Sequence, residues 1–173
     1  PAAFGLTRAR DAGIATRTLS HTDFESREAF DAELSRLVDE FEPDLVVLAG
    51  FMRILSSLFV TRYLGRLINI HPSLLPDFPG INTHQRPLDP GAKRHGVSVH
   101  FVTEELDGGP VIARRSIEVG REDSAESLAA RVLEQEHLLY PAVVSWFASG
   151  ELGMVNGEAV HASKLLPETV HSP

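Results

Sequence analysis

An asparagine and a histidine sit two residues apart in Leu67-Ile68-Asn69-Ile70-His71-Pro72-Ser73-Leu74-Leu75-Pro76. Read as a strand, this stretch alternates faces, so Asn69 and His71 project to one side and Ile68 and Ile70 to the other. The isoleucines can meet a core while an amide and a titratable imidazole meet a cavity. Pro72 has no N–H for a ladder and holds His71 in extended geometry, so the strand stops there. The pair thus stands at the carboxyl end of a strand, where open α/β sheets bind ligands. A lone Asn or His at such a place is most often a satisfied polar group. The pair before a Pro-x-Leu-Leu-Pro turn is rarer, and it needs a partner elsewhere in the chain.

Thr103-Glu104-Glu105-Leu106-Asp107-Gly108-Gly109 supplies the candidate partner. Glu104, Glu105 and Asp107 crowd one loop, and most such runs are merely solvated. Asp107 differs because Leu106 precedes it and a Gly-Gly-Pro turn follows, so it can be partly buried while its neighbours stay wet. Beside His71 it would orient the ring and favour the protonated form. The three side chains then have distinct uses. Asn69 can donate to an oxygen that becomes negative. His71 can give the same oxygen a hydrogen bond or a proton. Asp107 can help remove a proton from an attacking amine, directly or through water. That set suits acyl transfer to an amine without a covalent enzyme intermediate. Ser73 near His71 suggests a hydrolase, but no G-x-S-x-G elbow surrounds it. The histidines lack H-E-x-x-H spacing and there is no cysteine, so no metal site is expected. Neither G-x-G-x-x-G nor a Walker loop occurs.

The elements that must position these groups follow a mainly α/β order. Phe4 to Ala12 predicts a short helix closed by Gly13, and Ile14 to Leu19 a strand. Asp23 or Ser26 can cap a second helix, whose Phe30, Leu34, Leu37, Val38 and Phe41 share one face. Glu28, Asp31, Glu33 and Arg36 are expected on its wet side, and Pro43 beyond its end. Arg27 can reach an anionic ligand, although a solvated arginine is the commoner outcome. Leu45 to Ala49 is a continuous apolar run, the pattern of a strand buried on both faces. Gly50-Phe51-Met52-Arg53-Ile54-Leu55 follows, either a core-filling loop or an apolar slot whose backbone addresses a flat heterocycle. Ser56 or Ser57 caps a helix that Gly65 stops. Pro76 to Gly91 is a long irregular segment of the kind that is often functional, with His84 inside it. Gly96 to Val102 alternates as a half-buried strand, and Val111 to Val119 can pair with it across the Gly-Gly-Pro turn. Ser124 caps a long final helix that Pro141 should kink or divide and Gly150 ends. Its Glu136-His137 pair is most simply a solvated one. Asn156-Gly157 signals a hairpin, and Pro167 onward is expected to fray.

The 173 residues suggest one domain. A formal net charge of −8 and a pI of about 5.4 argue weakly against a nucleic-acid or acidic-membrane partner. No apolar run approaches the length of a membrane span, and no signal peptide is visible at the Pro1 start.

Asn69-Ile-His71-Pro-Ser-Leu-Leu-Pro76, taken with His95-Gly-Val-Ser-Val-His-Phe-Val-Thr-Glu-Glu-Leu-Asp107-Gly-Gly-Pro-Val-Ile112, resembles the folate-dependent phosphoribosylglycinamide formyltransferases of purine biosynthesis. The resemblance runs from the first helix to about Leu152. It implies a Rossmann-like, mostly parallel sheet flanked by helices, with a C-terminal antiparallel part, in a cytoplasmic enzyme. The catalytic domain would span 1–152, with a peripheral ribbon and tail over 153–173. The implied reaction moves a formyl group from 10-formyltetrahydrofolate to the amino group of glycinamide ribonucleotide. Asn69, His71 and Asp107 match the catalytic trio. Met52, Arg53, Ile54 and Leu55 match the pterin-binding segment. Thr103, Glu104, Glu105, Leu106 and Asp107 match the loop that closes over the ring, Arg27 a folate-contacting arginine, and Asn69 a further folate contact. Glu136, with Leu133, Glu134 and Gln135 beside it, matches the ribonucleotide-binding stretch. The partners implied are small molecules, with no nucleic acid, no membrane and no metal, and a homodimer is a candidate assembly.

Nothing here matches the family's opening strand, Gly-Ser-Asn loop and helix, which hold the substrate phosphate. The chain is therefore expected to be an N-terminally incomplete representative. With nothing before Pro1 it is expected to bind phosphate weakly and to have little activity. The rival readings are a formyltetrahydrofolate hydrolase, a methionyl-tRNA formyltransferase and an inactive folate-binding fragment. Pro72 after His71, where the hydrolases tend to carry a second histidine, favours the transferase. The short chain, its acidity and the lack of a basic C-terminal domain oppose the tRNA enzyme.

Overall fold

A computed structural model describes residues 3–88, 91–162 and 164–165. Pro1, the end of the Pro76 to Gly91 segment at 89–90, and the tail from Pro167 lie outside the described residues. Two compact units form, Pro1–Pro43 and Asp44–Pro173.

In the first unit, α1 (Phe4–Asp11) is followed by a 3₁₀ turn at His21–Asp23 and by α2 (Arg27–Asp39). Ser26 caps α2 by accepting the Ala29 N–H. The strand expected over Ile14–Leu19 does not form. Its apolar and β-branched residues have no neighbouring strand to pair with, and propensity alone does not hold an isolated strand. Asp31, expected on the wet face of α2, is 2% exposed. It shares a helical face with the buried Ser35, four residues on.

The second unit is built on a four-stranded sheet in the order β1 (Val46–Leu48), β2 (Leu67–His71), β3 (Arg94–Phe101), β4 (Val111–Glu118). β1 and β2 are parallel and joined through α3 (Ser57–Arg62), which Ser56 caps. β2–β3 and β3–β4 are antiparallel. The sheet thus passes from a parallel crossover to the expected antiparallel C-terminal part. Val47 is 42% exposed, so the apolar run of β1 is not buried on both faces. Among the described residues β1 is an edge strand that pairs only with β2.

α4 (Ala125–Ala148) lies against β3 and β4. Ser124 and Ser127 close its N-terminus reciprocally, each side chain accepting the other's backbone N–H. Pro141 neither ends nor divides this helix, which continues to Ala148. Leu139 and Val143, on either side of the proline, are both locked into the core, so packing holds the helix across the missing hydrogen bond. That core takes Ile68, Ile70, Val99 and Phe101 from one face of the sheet and Val132 from α4.

β3 was expected to be half-buried, yet His95 to Phe101 is buried throughout. Its second face lies under the segment after β2. The Ser98 hydroxyl donates to the Ser73 carbonyl at 2.7 Å and accepts the Leu75 N–H at 3.0 Å. The C-terminal ribbon pairs β5 (Leu152–Val155), β6 (Glu158–His161) and β7 (Lys164–Leu165). Asn156 and Gly157, both at positive φ, form the expected hairpin turn.

Candidate active site

Strand register creates the polar face of the sheet. Asn69 of β2 stands opposite His100 of β3, and His71 opposite Ser98. Directly opposed residues of an antiparallel pair share a face. The alternation that sends Ile68 and Ile70 into the core therefore gathers four polar side chains on the other side. The Asn69 side-chain amide lies 3.3 Å from His100 Nε2. Opposite the β3 step from Val99 to His100, β4 carries a bulge at Ile112. Such a bulge re-aims nearby side chains.

Asp107 reaches this face from the loop after β3. Its backbone is left-handed at φ 52°, a conformation that Asp tolerates better than most residues at a cost of about 1–2 kcal/mol. Glu104, Glu105 and Leu106 are exposed, whereas the Asp107 side chain is only 9% exposed. Its Oδ2 lies 3.6 Å from His71 Nδ1 and accepts the Gly80 N–H at 2.8 Å. Its Oδ1 lies 3.7 Å from His100 Nε2. The carboxylate thus sits between two buried imidazoles.

The His71 ring is 6% exposed, and its Nε2–H donates to the Phe78 carbonyl at 3.0 Å. With Nε2 engaged there, Nδ1 is the ring nitrogen that faces Asp107. Ser73, the candidate hydrolase nucleophile, is fully buried and gives its proton to the Asp77 carbonyl at 2.6 Å. Burial holds the His100 imidazole below its ordinary pKa, with the Phe101 carbonyl and then Asp107 pulling the other way.

A cleft with about 500 Å³ of empty space, open solvent included, lies against Asn69, His100 and Asp107. Leu48, Phe51, Ile54, Leu55, Val60 and Val102 make its apolar walls. Arg53 and the stretch from Thr103 to Leu106 complete the lining. Met52 is 90% exposed and is not among the walls. Arg27 lies in the Pro1–Pro43 unit, where its guanidinium pairs with Glu28 at 2.9 Å.

In the α4 stretch, Leu133 and Glu134 are exposed. Gln135 accepts from Arg115 Nε at 2.8 Å. Glu136 is half-buried rather than solvated, and burial raises its carboxyl pKa against the opposing charges of His137 and His71. His84 is not an exposed loop residue; its Nδ1 lies 3.3 Å from Nε2 of the buried His95. Among the described residues no group of three or more His, Asp or Glu is arranged to hold a metal ion, and no helix is long and apolar enough to cross a membrane.

Sequence reading missed His100, Gly80, the Phe78 carbonyl and Tyr140. The Tyr140 hydroxyl sits 2.6 Å from the Leu48 carbonyl and 3.2 Å from that of Ile68, tying α4 to the strands that lead into the cleft. For His100 a signal existed, since alternation sets it with Ser98 on the face away from Val99. Its use depends on a cross-strand register that local pattern does not contain.

The formyl transferase family matches residues 1–144. Phosphoribosylglycinamide formyltransferase of Escherichia coli K12 is 57% identical over 165 residues, covering 95% of this chain and 78% of that protein. The bovine trifunctional purine biosynthetic protein adenosine-3 is 45% identical over 146 residues, 84% of this chain but 14% of that protein. The structure of phosphoribosylglycinamide formyltransferase from Coxiella burnetii in complex with CHES superposes with a TM-score of 0.92 at 46% identity, covering 99% of this chain and 82% of that one.

Proposed function

The chain belongs to the formyl transferase family, and from that premise we propose that it transfers a formyl group to the amino group of glycinamide ribonucleotide in purine biosynthesis. The formyl donor in this reading is 10-formyltetrahydrofolate, which supplies the one-carbon unit. The cleft suits a flat heterocycle, with apolar walls from Phe51, Ile54 and Leu55 beside the polar loop from Thr103 to Asp107.

Asn69 presents an amide N–H to the oxygen that gains charge as the amine attacks. His71 holds a proton on Nε2 for that oxygen, and it must exchange the Phe78 carbonyl for the substrate before delivering it. Asp107 accepts the proton that the amine loses, directly or through water; the carbon–nitrogen bond to the folate then breaks, the folate nitrogen leaves with that proton, and the oxygen returns its own to His71 as the formyl carbonyl re-forms. Glu136 and its neighbours Leu133, Glu134 and Gln135 address the ribonucleotide, and Arg27 and Met52 the folate. Transfer is assigned to residues 1–152, with 153–173 peripheral. The protein acts in the cytoplasm on small molecules, as a homodimer or alone.

The observation that carries this reading is the Asp107 carboxylate, 3.6 Å from His71 and 3.7 Å from His100, with Asn69 beside it at an apolar cleft. Steady-state assay of the purified protein tests it. Formyl transfer that requires glycinamide ribonucleotide supports it. Formate release without the ribonucleotide would make the protein a hydrolase, and folate binding with neither reaction an inactive binder.

A further inference from the structure

We infer that His100 is a positioning residue that holds the Asn69 amide with its NH₂ group as the donor toward the reacting oxygen. The inference rests on the formyl-transfer reading above and adds to it a residue and an orientation.

The geometry leaves one self-consistent assignment. His100 Nδ1 is 2.9 Å from the Phe101 carbonyl oxygen, which can only accept, so Nδ1 carries a proton. The ring is 2% exposed, and burial favours its neutral form. A neutral ring with Nδ1–H has only a lone pair at Nε2, so at 3.3 Å the Asn69 partner must be the NH₂ group, not the carbonyl. One amide hydrogen is then held by the imidazole. The second has no acceptor among the described residues, which frees it for a substrate oxygen. Asp107 Oδ1, 3.7 Å from the same Nε2, pulls by its charge toward a protonated ring, and burial, the larger influence, outweighs it. A positive charge on His71, which also faces Asp107, would disfavour a second cation at His100.

The chain Phe101 carbonyl, His100, Asn69 therefore resolves an ambiguity that an asparagine cannot resolve alone. A flipped amide would turn its carbonyl toward the imidazole lone pair and move its donors from the reacting oxygen. The loss would fall on the transition state, where that oxygen is negative, and little on substrate binding.

The test combines kinetics with nitrogen spectroscopy. Long-range ¹H–¹⁵N spectra of the wild-type protein should show His100 protonated at Nδ1 and not at Nε2. His100→Leu removes the acceptor and should lower kcat by about 10- to 100-fold, with KM for both substrates within about threefold. His100→Gln, whose side-chain oxygen can accept from Asn69, should recover most of that loss. In an Asn69→Ala background, His100→Leu should cost less than about threefold more, because the orientation it protects is gone. A wild-type ring protonated at Nε2 overturns the inference. So does a His100→Leu enzyme with unchanged kcat, or a loss that is the same with and without Asn69. If wild-type protein fails to transfer formyl, the proposed function falls. The ring tautomer, and a shift of the Asn69 side-chain ¹⁵N resonance in His100→Gln, then still decide the Asn69–His100 contact by themselves.

Discussion

His71 and Asp107 approach to 3.6 Å, Nδ1 to Oδ2, although 36 positions separate them in the chain. Both side chains are nearly buried, and each has a second anchor: the Phe78 carbonyl for His71 and the Gly80 N–H for Asp107. Both anchors come from the segment after β2, so one stretch of backbone holds the imidazole and the carboxylate in register. His71→Ala and Asp107→Asn should each lower kcat by about 10²-fold or more, the scale of general acid–base catalysis. Steady-state rates on folded variants check this, and a near-normal rate in either removes that residue from the mechanism.

That Asn69, His71 and Asp107 would gather was legible because the pointers to it are local. Alternation put Asn69 and His71 on one face of β2, and the Leu106 and Gly-Gly-Pro flanks singled out Asp107 from Glu104 and Glu105. The caps at Ser26, Ser56 and Ser124 and the Asn156-Gly157 turn are local too. What escaped depends on contacts distant in sequence. His100 matters through its register with Asn69, and Tyr140 through strand carbonyls 72 and 92 residues away. Gly80 and Phe78 act through backbone groups, which no side-chain pattern advertises. Ile14–Leu19 erred the other way, since strand-like residues without a pairing partner form no strand.

Tyr140→Phe should separate support from chemistry. The variant keeps the ring's packing but strips the Leu48 carbonyl of a 2.6 Å donor. Losing a buried hydrogen bond of this kind costs about 1–2 kcal/mol. Because Leu48 lines the cleft, KM for the proposed folate donor should rise severalfold while kcat stays close to wild type. Urea unfolding and substrate titration check both parts. A kcat loss as large as that of His71→Ala would instead make Tyr140 part of the reaction.

Gly109→Ala tests the turn that aims Asp107. A β-carbon there would collide with the Phe101 carbonyl oxygen and crowd Thr103. The backbone must shift, and overpacking of this kind costs about 1–3 kcal/mol. Asp107 is two residues away, so kcat should fall along with stability. Gly153→Ala, where a β-carbon meets nothing within 4 Å, is the control, with an expected change of about 0.5 kcal/mol or less. Equal stability and equal kcat in the two variants would refute the turn's role.

Acid should unfold the protein through its buried histidines. His95 is pushed down to about 4, by burial first and then by His84 and His71. His84 and His100 are lowered as well, burial again leading. In the unfolded chain these rings titrate near 6.5, so unfolded protein takes up protons that folded protein refuses. Their stabilisation is complete above about pH 6.5 and drains away as pH falls toward 4. For His95 this is on the order of 3 kcal/mol, at about 1.4 kcal/mol per unit. Glu136 works in the opposite sense, because burial raises its carboxyl and acid therefore favours the folded form, but only toward the bottom of that window. Thermal melts should thus show Tm steady from pH 8 to 7 and falling below 6.5. His95→Leu should flatten the slope, whatever it does to Tm at neutral pH. An unchanged slope in that variant would move the acid sensitivity to other groups.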